Sequence, residues 1–149
     1  MTPNAGPIRA RPLDDHNVFR QFLHDFYSLR RSLRGHRRDV WEPPTDVYET
    51  EQDIVIKMSI PGVKPQQVAV ECNGEVLTIC GVRKGPDPGS VRTYHQMEIR
   101  NGYFERRIVI HRPFDSSGAK ARYEDGFLYV FIPKAPELVR HVLTIKLNV

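Results

Sequence analysis

This chain of 149 residues has little that would mark a metalloprotein, an enzyme or a membrane protein. It has two cysteines, Cys72 and Cys80, and one tryptophan, Trp41. Neither cysteine belongs to a CxxC pair, and no His/Cys cluster has metal-ligand spacing, so no metal is expected. No apolar run approaches the length of a membrane span. The opening stretch MTPNAGPIRARP lacks the apolar core of a secretory signal, so the expected location is cytoplasmic. No Walker motif or other phosphate cradle occurs. There is no G-x-S-x-G or H-E-x-x-H, and the histidines are scattered at positions 16, 24, 36, 95, 111 and 141. The expectation is a protein with no catalytic residues, no cofactor and no small-molecule substrate.

Turn-forming residues are plentiful: twelve prolines and ten glycines favour a β-rich architecture over a helix bundle. Charge is uneven. Residues 1–40 carry eight Arg and four Asp, whereas residues 41–149 carry equal numbers of cations and anions. The whole net charge of +4 therefore sits in an N-terminal arm, which argues for two distinct regions.

Residues 1–13, with three prolines and no apolar period, read as disordered. From Asp14 or Asp15, either of which can cap a helix, Phe19, Phe22, Phe26, Leu29 and Leu33 recur at spacings of three and four. Leu23 and Val18 lie at the margin of that face. Gly35 offers a stop, and Arg30, Arg31 and Arg34 crowd the last turn, where the helix dipole favours cations. An amphipathic helix is predicted. After Trp41, Glu42-Pro43-Pro44 excludes a continuing helix, and every later segment reads as a strand.

Predicted strands cover 46–49, 54–60, 68–72, 76–82, a more polar candidate at 91–99, then 104–110, 119–123 and 127–132. GPDPG at 85–89 is a loop, Asn101-Gly102 is a turn, and Glu124-Asp125-Gly126 closes a last hairpin. Many short strands with such turns predict an all-β protein, an immunoglobulin-like antiparallel sandwich. Asn73-Gly74 as a two-residue turn would pair Cys72 with Glu75 and Cys80 with Gln67, and set Val68 and Val70 opposite Ile79 and Leu77. Both thiols are then expected reduced, too far apart for a disulfide. The chain ends in HVLTIKLNV, where Leu143, Ile145, Leu147 and Val149 alternate with polar residues as in a strand with one buried face.

The run ARYEDGFLYVFIPK at 121–134 resembles the signature of the small heat-shock protein, or α-crystallin-domain, family. Ala121, Gly126, Leu128, Val130, Ile132, Pro133 and Lys134 match it, and Asp125 stands where Asn is common. WEPPTDVYET at 41–50, the corner Ile60-Pro61-Gly62-Val63, LTICGVRK at 77–84 and GYFER at 102–106 are similar to other parts of the same domain, in its order. The resemblance implies three parts: an arm, 1–40, helical and disordered; an α-crystallin sandwich, 41–134; and a tail, 135–149, with an I-x-I-like motif.

By this resemblance the tail docks in an edge groove of a neighbouring subunit. Ile145-Lys146-Leu147 is the best match, and 143/145 or 147/149 are alternative registers. The implied groove is bordered by the strands of Val68 and Val70 and of Ala121 and Tyr123. The alternative for the tail is a return to its own sandwich as an edge strand; for the groove residues it is plain core packing. The polar stretch with Tyr94, His95, Met97 and Ile99 is implied to exchange between two subunits to make a dimer, the alternative being a surface loop. The implied function is that of an ATP-independent holdase chaperone, its partners being unfolding client proteins and further copies of itself. The stripe Phe19, Phe22, Leu23, Phe26, Leu29 and Leu33 is the expected client-binding surface, since apolar capture is non-directional; packing between arms is its alternative. Other readings are a monomeric co-chaperone-type sandwich, or binding of nucleic acid or a membrane surface through the basic arm. Nucleic acid is not the expected partner, because the sandwich adds no net charge, and a membrane is not expected either.

Overall fold

Among the described residues, the alternation of apolar and polar residues after Pro44 is realised as eight strands. They are β1 (Thr45–Glu49), β2 (Asp53–Ser59), β3 (Val68–Asn73), β4 (Val76–Arg83), β5 (Gly102–Val109), β6 (Lys120–Glu124), β7 (Phe127–Pro133) and β8 (Leu143–Lys146). The structure, a computed structural model, describes residues 24, 28, 40–87, 89–91, 93–136 and 143–146. Two four-stranded antiparallel sheets result, ordered β1-β2-β7-β6 and β5-β4-β3-β8. They form the predicted sandwich. Among the arm residues, His24, Ser28 and Val40 are described; His24 and Ser28 are helical and exposed.

Each sheet turns one face inward because side chains alternate along a strand. The first sheet gives the core Ile54, Ile56, Met58, Leu128, Val130, Ile132 and Ala121. The second gives Val68, Val70, Cys72, Leu77, Ile79, Phe104 and Ile108. Trp41 closes one end, packing edge-on against Phe104 with ring centroids 5.5 Å apart. Its indole donates to the Gly102 carbonyl at 3.3 Å.

The hairpin turns follow the residues that can take positive φ. Asp125 (φ 50°) and Gly126 (φ 82°) join β6 to β7 with both central residues left-handed, the demand of a type I′ turn. The β3–β4 turn differs from expectation. Asn73 pairs with Val76, so the loop residues are Gly74 and Glu75, and positive φ falls on Gly74 alone (60°). That is the pattern of a type II′ loop, which wants glycine in its first position. The whole ladder shifts by two residues: Val68 faces Gly81, Val70 faces Ile79 instead of Leu77, Cys72 faces Leu77 and Cys80 faces Ala69. Both cysteines are free and buried.

Among the described residues the predicted strand at 91–99 does not form. Residue 91 and residues 93–100 lie in an exposed loop with no ladder partner. A segment whose apolar residues are few has little apolar area to gain from its own core.

Candidate functional site: strand edges and an apolar loop

Three surfaces were expected to act, and the described residues show two of them. The first is the open edge of β3. Here β8 adds antiparallel, with Leu143 opposite Cys72, Thr144 opposite Glu71, Ile145 opposite Val70 and Lys146 opposite Ala69. Within one chain the tail thus returns to its own sandwich. Residues 143 and 145 fall opposite Cys72 and Val70, the two members of that stretch of β3 that belong to the core. Leu147 and Val149 lie outside the described residues.

The other expected groove residues are partly core. Val68, Val70 and Ala121 all join the buried cluster, and Tyr123 packs against it half-buried. Tyr123 sits on β6, the outer strand of the first sheet, and its hydroxyl donates to the Ile60 carbonyl at 3.0 Å. Burial pushes this phenol above its ordinary pKa. Ile60 begins the Pro61-Gly62 corner, so the tyrosine ties that corner to the β6 edge.

The second surface is the loop between β4 and β5. Met97 is 64% exposed and Ile99 71%, and Tyr94 and His95 also face solvent. Arg83 anchors its base. Its Nε donates to the Arg100 carbonyl at 2.9 Å and its Nη1 to the Pro61 carbonyl at 3.4 Å. The guanidinium lies 4.3 Å from the Trp41 ring centroid, a cation–π contact. Opposite in character is β1, which among the described residues pairs with β2 alone and leaves its other edge open, with Val47 and Tyr48 exposed. An open edge with exposed apolar side chains is a template for a further strand.

The third surface, Phe19, Phe22, Leu23, Phe26, Leu29 and Leu33, lies outside the described residues.

Two features escaped the reading of the sequence. Phe127, Tyr129 and Phe131 form a ladder along β7 with centroids 6.4 and 6.2 Å apart. Lys57 lies 4.4 Å from the Phe127 ring and Arg122 5.0 Å from the Tyr129 ring. Alternation of β7 signals this, since Leu128, Val130 and Ile132 take the inner face. The other feature is buried residues on the outer face of the second sheet. Ala69, Thr78, Cys80 and Glu105 are all buried, yet they lie outside the core cluster. Burial pushes the Cys80 thiol up to about 12, with the carboxylates of Glu105 and Glu71 adding to it.

Among the described residues no cluster of three His, Cys, Asp or Glu side chains could hold a metal ion, and no helix is long and apolar enough to cross a membrane.

Comparison with known proteins places this geometry. A model of the Hsp20/alpha crystallin family matches residues 46–148, well over half of the chain. Small heat shock protein C2 of Rickettsia felis is 28% identical over 127 residues, covering 85% of this chain and 80% of its own length. The crystal structure of hspA from Xanthomonas axonopodis superposes with a TM-score of 0.60 at 31% identity, over 65% of this chain and 97% of that one. A small heat-shock protein from Xylella fastidiosa, described as having a distinct high order structure, gives a TM-score of 0.59 at 29% identity, over 69% of this chain and 95% of its own.

Proposed function

This chain belongs to the Hsp20/alpha crystallin family, and from that premise we propose that it is an ATP-independent holdase. It binds partly unfolded proteins in the cytoplasm, prevents their aggregation and works as an oligomer built from dimers, without catalysing a reaction. The observation that carries the reading is the family match on a sandwich that leaves apolar loop residues and an open strand edge exposed.

Dimers form when the loop of Tyr94, His95, Met97 and Ile99 adds to the open edge of β1 of a second copy. Burying Met97 and Ile99 there contributes about 1.5–3 kcal/mol each before ordering costs. Dimers join when the tail of one chain takes the β3 edge of another, in place of the chain's own β8. Each contact is weak, and several together hold an assembly that still exchanges subunits. The high order structure described for the Xylella relative supports this reading. Clients meet the apolar stripe Phe19, Phe22, Leu23, Phe26, Leu29 and Leu33.

One observation favours a second reading. The tail seated on its own β3 completes that sheet within a single chain, as a monomeric co-chaperone-type sandwich would require.

The test is light scattering from a heat-aggregating client enzyme without ATP, with albumin as control, alongside the mass of the protein in solution. Suppression at near-stoichiometric amounts by a multimer is expected. A monomeric mass with no suppression across a temperature range would exclude the holdase and favour the second reading.

A further inference from the structure

We propose that Arg83 is the positioning residue that aims the exposed loop of Tyr94, His95, Met97 and Ile99 for pairing with a second copy. The inference rests on the dimer reading above and names the side chain that readies the loop for it. It begins where the sheet ends. Arg83 is the last residue of β4 and pairs with Gly102, the first of β5. Between them, among the described residues, no ladder holds the chain. The direction in which the loop leaves the sandwich is therefore set by side chains.

One side chain spans the gap. The Nε and the Nη2 of Arg83 both donate to the Arg100 carbonyl, the first at 2.9 Å. A guanidinium holds its donors in one plane, so two of them on one oxygen fix the direction of that carbonyl as well as its distance. This adds a cross-link two residues beyond the last rung, next to Ile99 in the chain. The guanidinium is itself held on two further sides. It lies 4.3 Å from the centroid of the Trp41 ring, and its Nη1 donates to the Pro61 carbonyl at 3.4 Å. Trp41 is buried, with its backbone N–H on the Tyr103 carbonyl at 3.0 Å and its indole N–H on the Gly102 carbonyl at 3.3 Å. The end of the loop is thus referred to the core through Trp41, and to the Ile60–Val63 corner through Pro61.

The loop that leaves this clamp carries its polar and apolar residues in alternation. Residues two apart share a side of an extended segment. Gln96 Nε2 donates to Glu98 Oε2 at 2.8 Å, while Met97 and Ile99 are 64% and 71% exposed. The Arg100 carbonyl follows Ile99 directly, so holding it restricts the side to which Ile99 and Met97 turn. A loop already aimed loses less freedom on pairing, the general advantage of preorganisation. The clamp itself consists of exposed hydrogen bonds at the end of the ladder, so its removal costs the sandwich little.

The test follows the assembly of the full chain by sedimentation velocity over a dilution series. Arg83→Lys keeps the charge and loses the fork, and Arg83→Gln loses both. Each should raise the concentration at which monomers appear roughly tenfold or more, with the urea midpoint of the sandwich nearly unchanged. A second readout needs no dimer. In a chain with Met97→Ser and Ile99→Ser, Arg83→Lys should speed chymotryptic cleavage after Tyr94 several-fold, because an unclamped loop opens more readily. Unaltered assembly in both Arg83 variants, while Met97→Ser with Ile99→Ser dissociates the dimer, would overturn the proposal and leave the dimer reading standing. Assembly retained by Arg83→Lys alone would overturn it too, since charge would then suffice. So would a lowered urea midpoint that accounts for the loss, or unchanged cleavage after Tyr94. An assembly indifferent to Met97→Ser with Ile99→Ser would remove the dimer reading, and this proposal with it.

Discussion

Lys134, the last residue of the signature run, shows what a matched side chain does physically. Its ammonium donates to the Thr50 carbonyl at 2.5 Å and lies 3.1 Å from the Glu49 carboxylate, which Arg112 meets at 2.6 Å. The β1–β2 turn is thereby tied to the end of β7. Hydrogen bonding from Lys134, with Arg112 adding to it, holds the Glu49 carboxyl below its ordinary value of 4.5. The folded chain thus favours the ionised form. The resulting stability is complete above that ordinary value and is lost as pH falls through the lower folded one. Glu49→Gln should lower the melting temperature slightly near neutral pH and leave it unchanged in strong acid; thermal melts across that range check it. The effect is small because the pair is exposed and screened by salt. Gly81 is a sharper case. A Cβ there would lie 2.4 Å from the Gln67 carbonyl oxygen and 2.6 Å from the Phe104 ring. Gly81→Ala should cost about 1–3 kcal/mol as an overpacked site, read from the urea midpoint. In the sequence this glycine is one of ten, and only the close approach of the Gln67 carbonyl and the Phe104 ring distinguishes it.

Elements differ in how much of themselves they declare. β7 alternates in burial along its whole length and β2 does so except at Val55, and each reads correctly as a strand because its inner face is buried in its own chain. The β3–β4 hairpin declared its strands but not its register. Asn-Gly is a strong turn signal, yet the loop begins at the glycine, because a type II′ geometry needs positive φ in its first position only. Residues 91–99 declared a strand that one chain does not form. If that segment is completed by a partner, Met97→Ser with Ile99→Ser should leave the unfolding midpoint of the sandwich nearly unchanged and dissociate dimers to monomers. Sedimentation velocity would show it; an unchanged dimer would remove the exchange proposal.

At the scale of the whole molecule the open question is where the tail goes. The single chain satisfies the β3 edge with its own β8. The same backbone ladder is available to a neighbour's tail, and the choice depends on the tether and on protein concentration rather than on the edge itself. Ile145→Ala with Leu147→Ala should reduce the assembly toward dimers while the sandwich stays folded, as light scattering with size separation would measure. An unchanged mass would confine the tail to its own chain.

The sequence by itself determined the sandwich, the positions of most strands, the free thiols and the division of charge between arm and domain. These follow from local periodicity, turn chemistry and composition, which need no partner. Tertiary structure alone decided the hairpin register, the seat of β8 on β3, the need for glycine at 81 and the burial of Ala69, Cys80 and Glu105 on an outward face. Each of these depends on which distant residue comes to lie opposite, and period-2 alternation is the same whichever strand or chain supplies it.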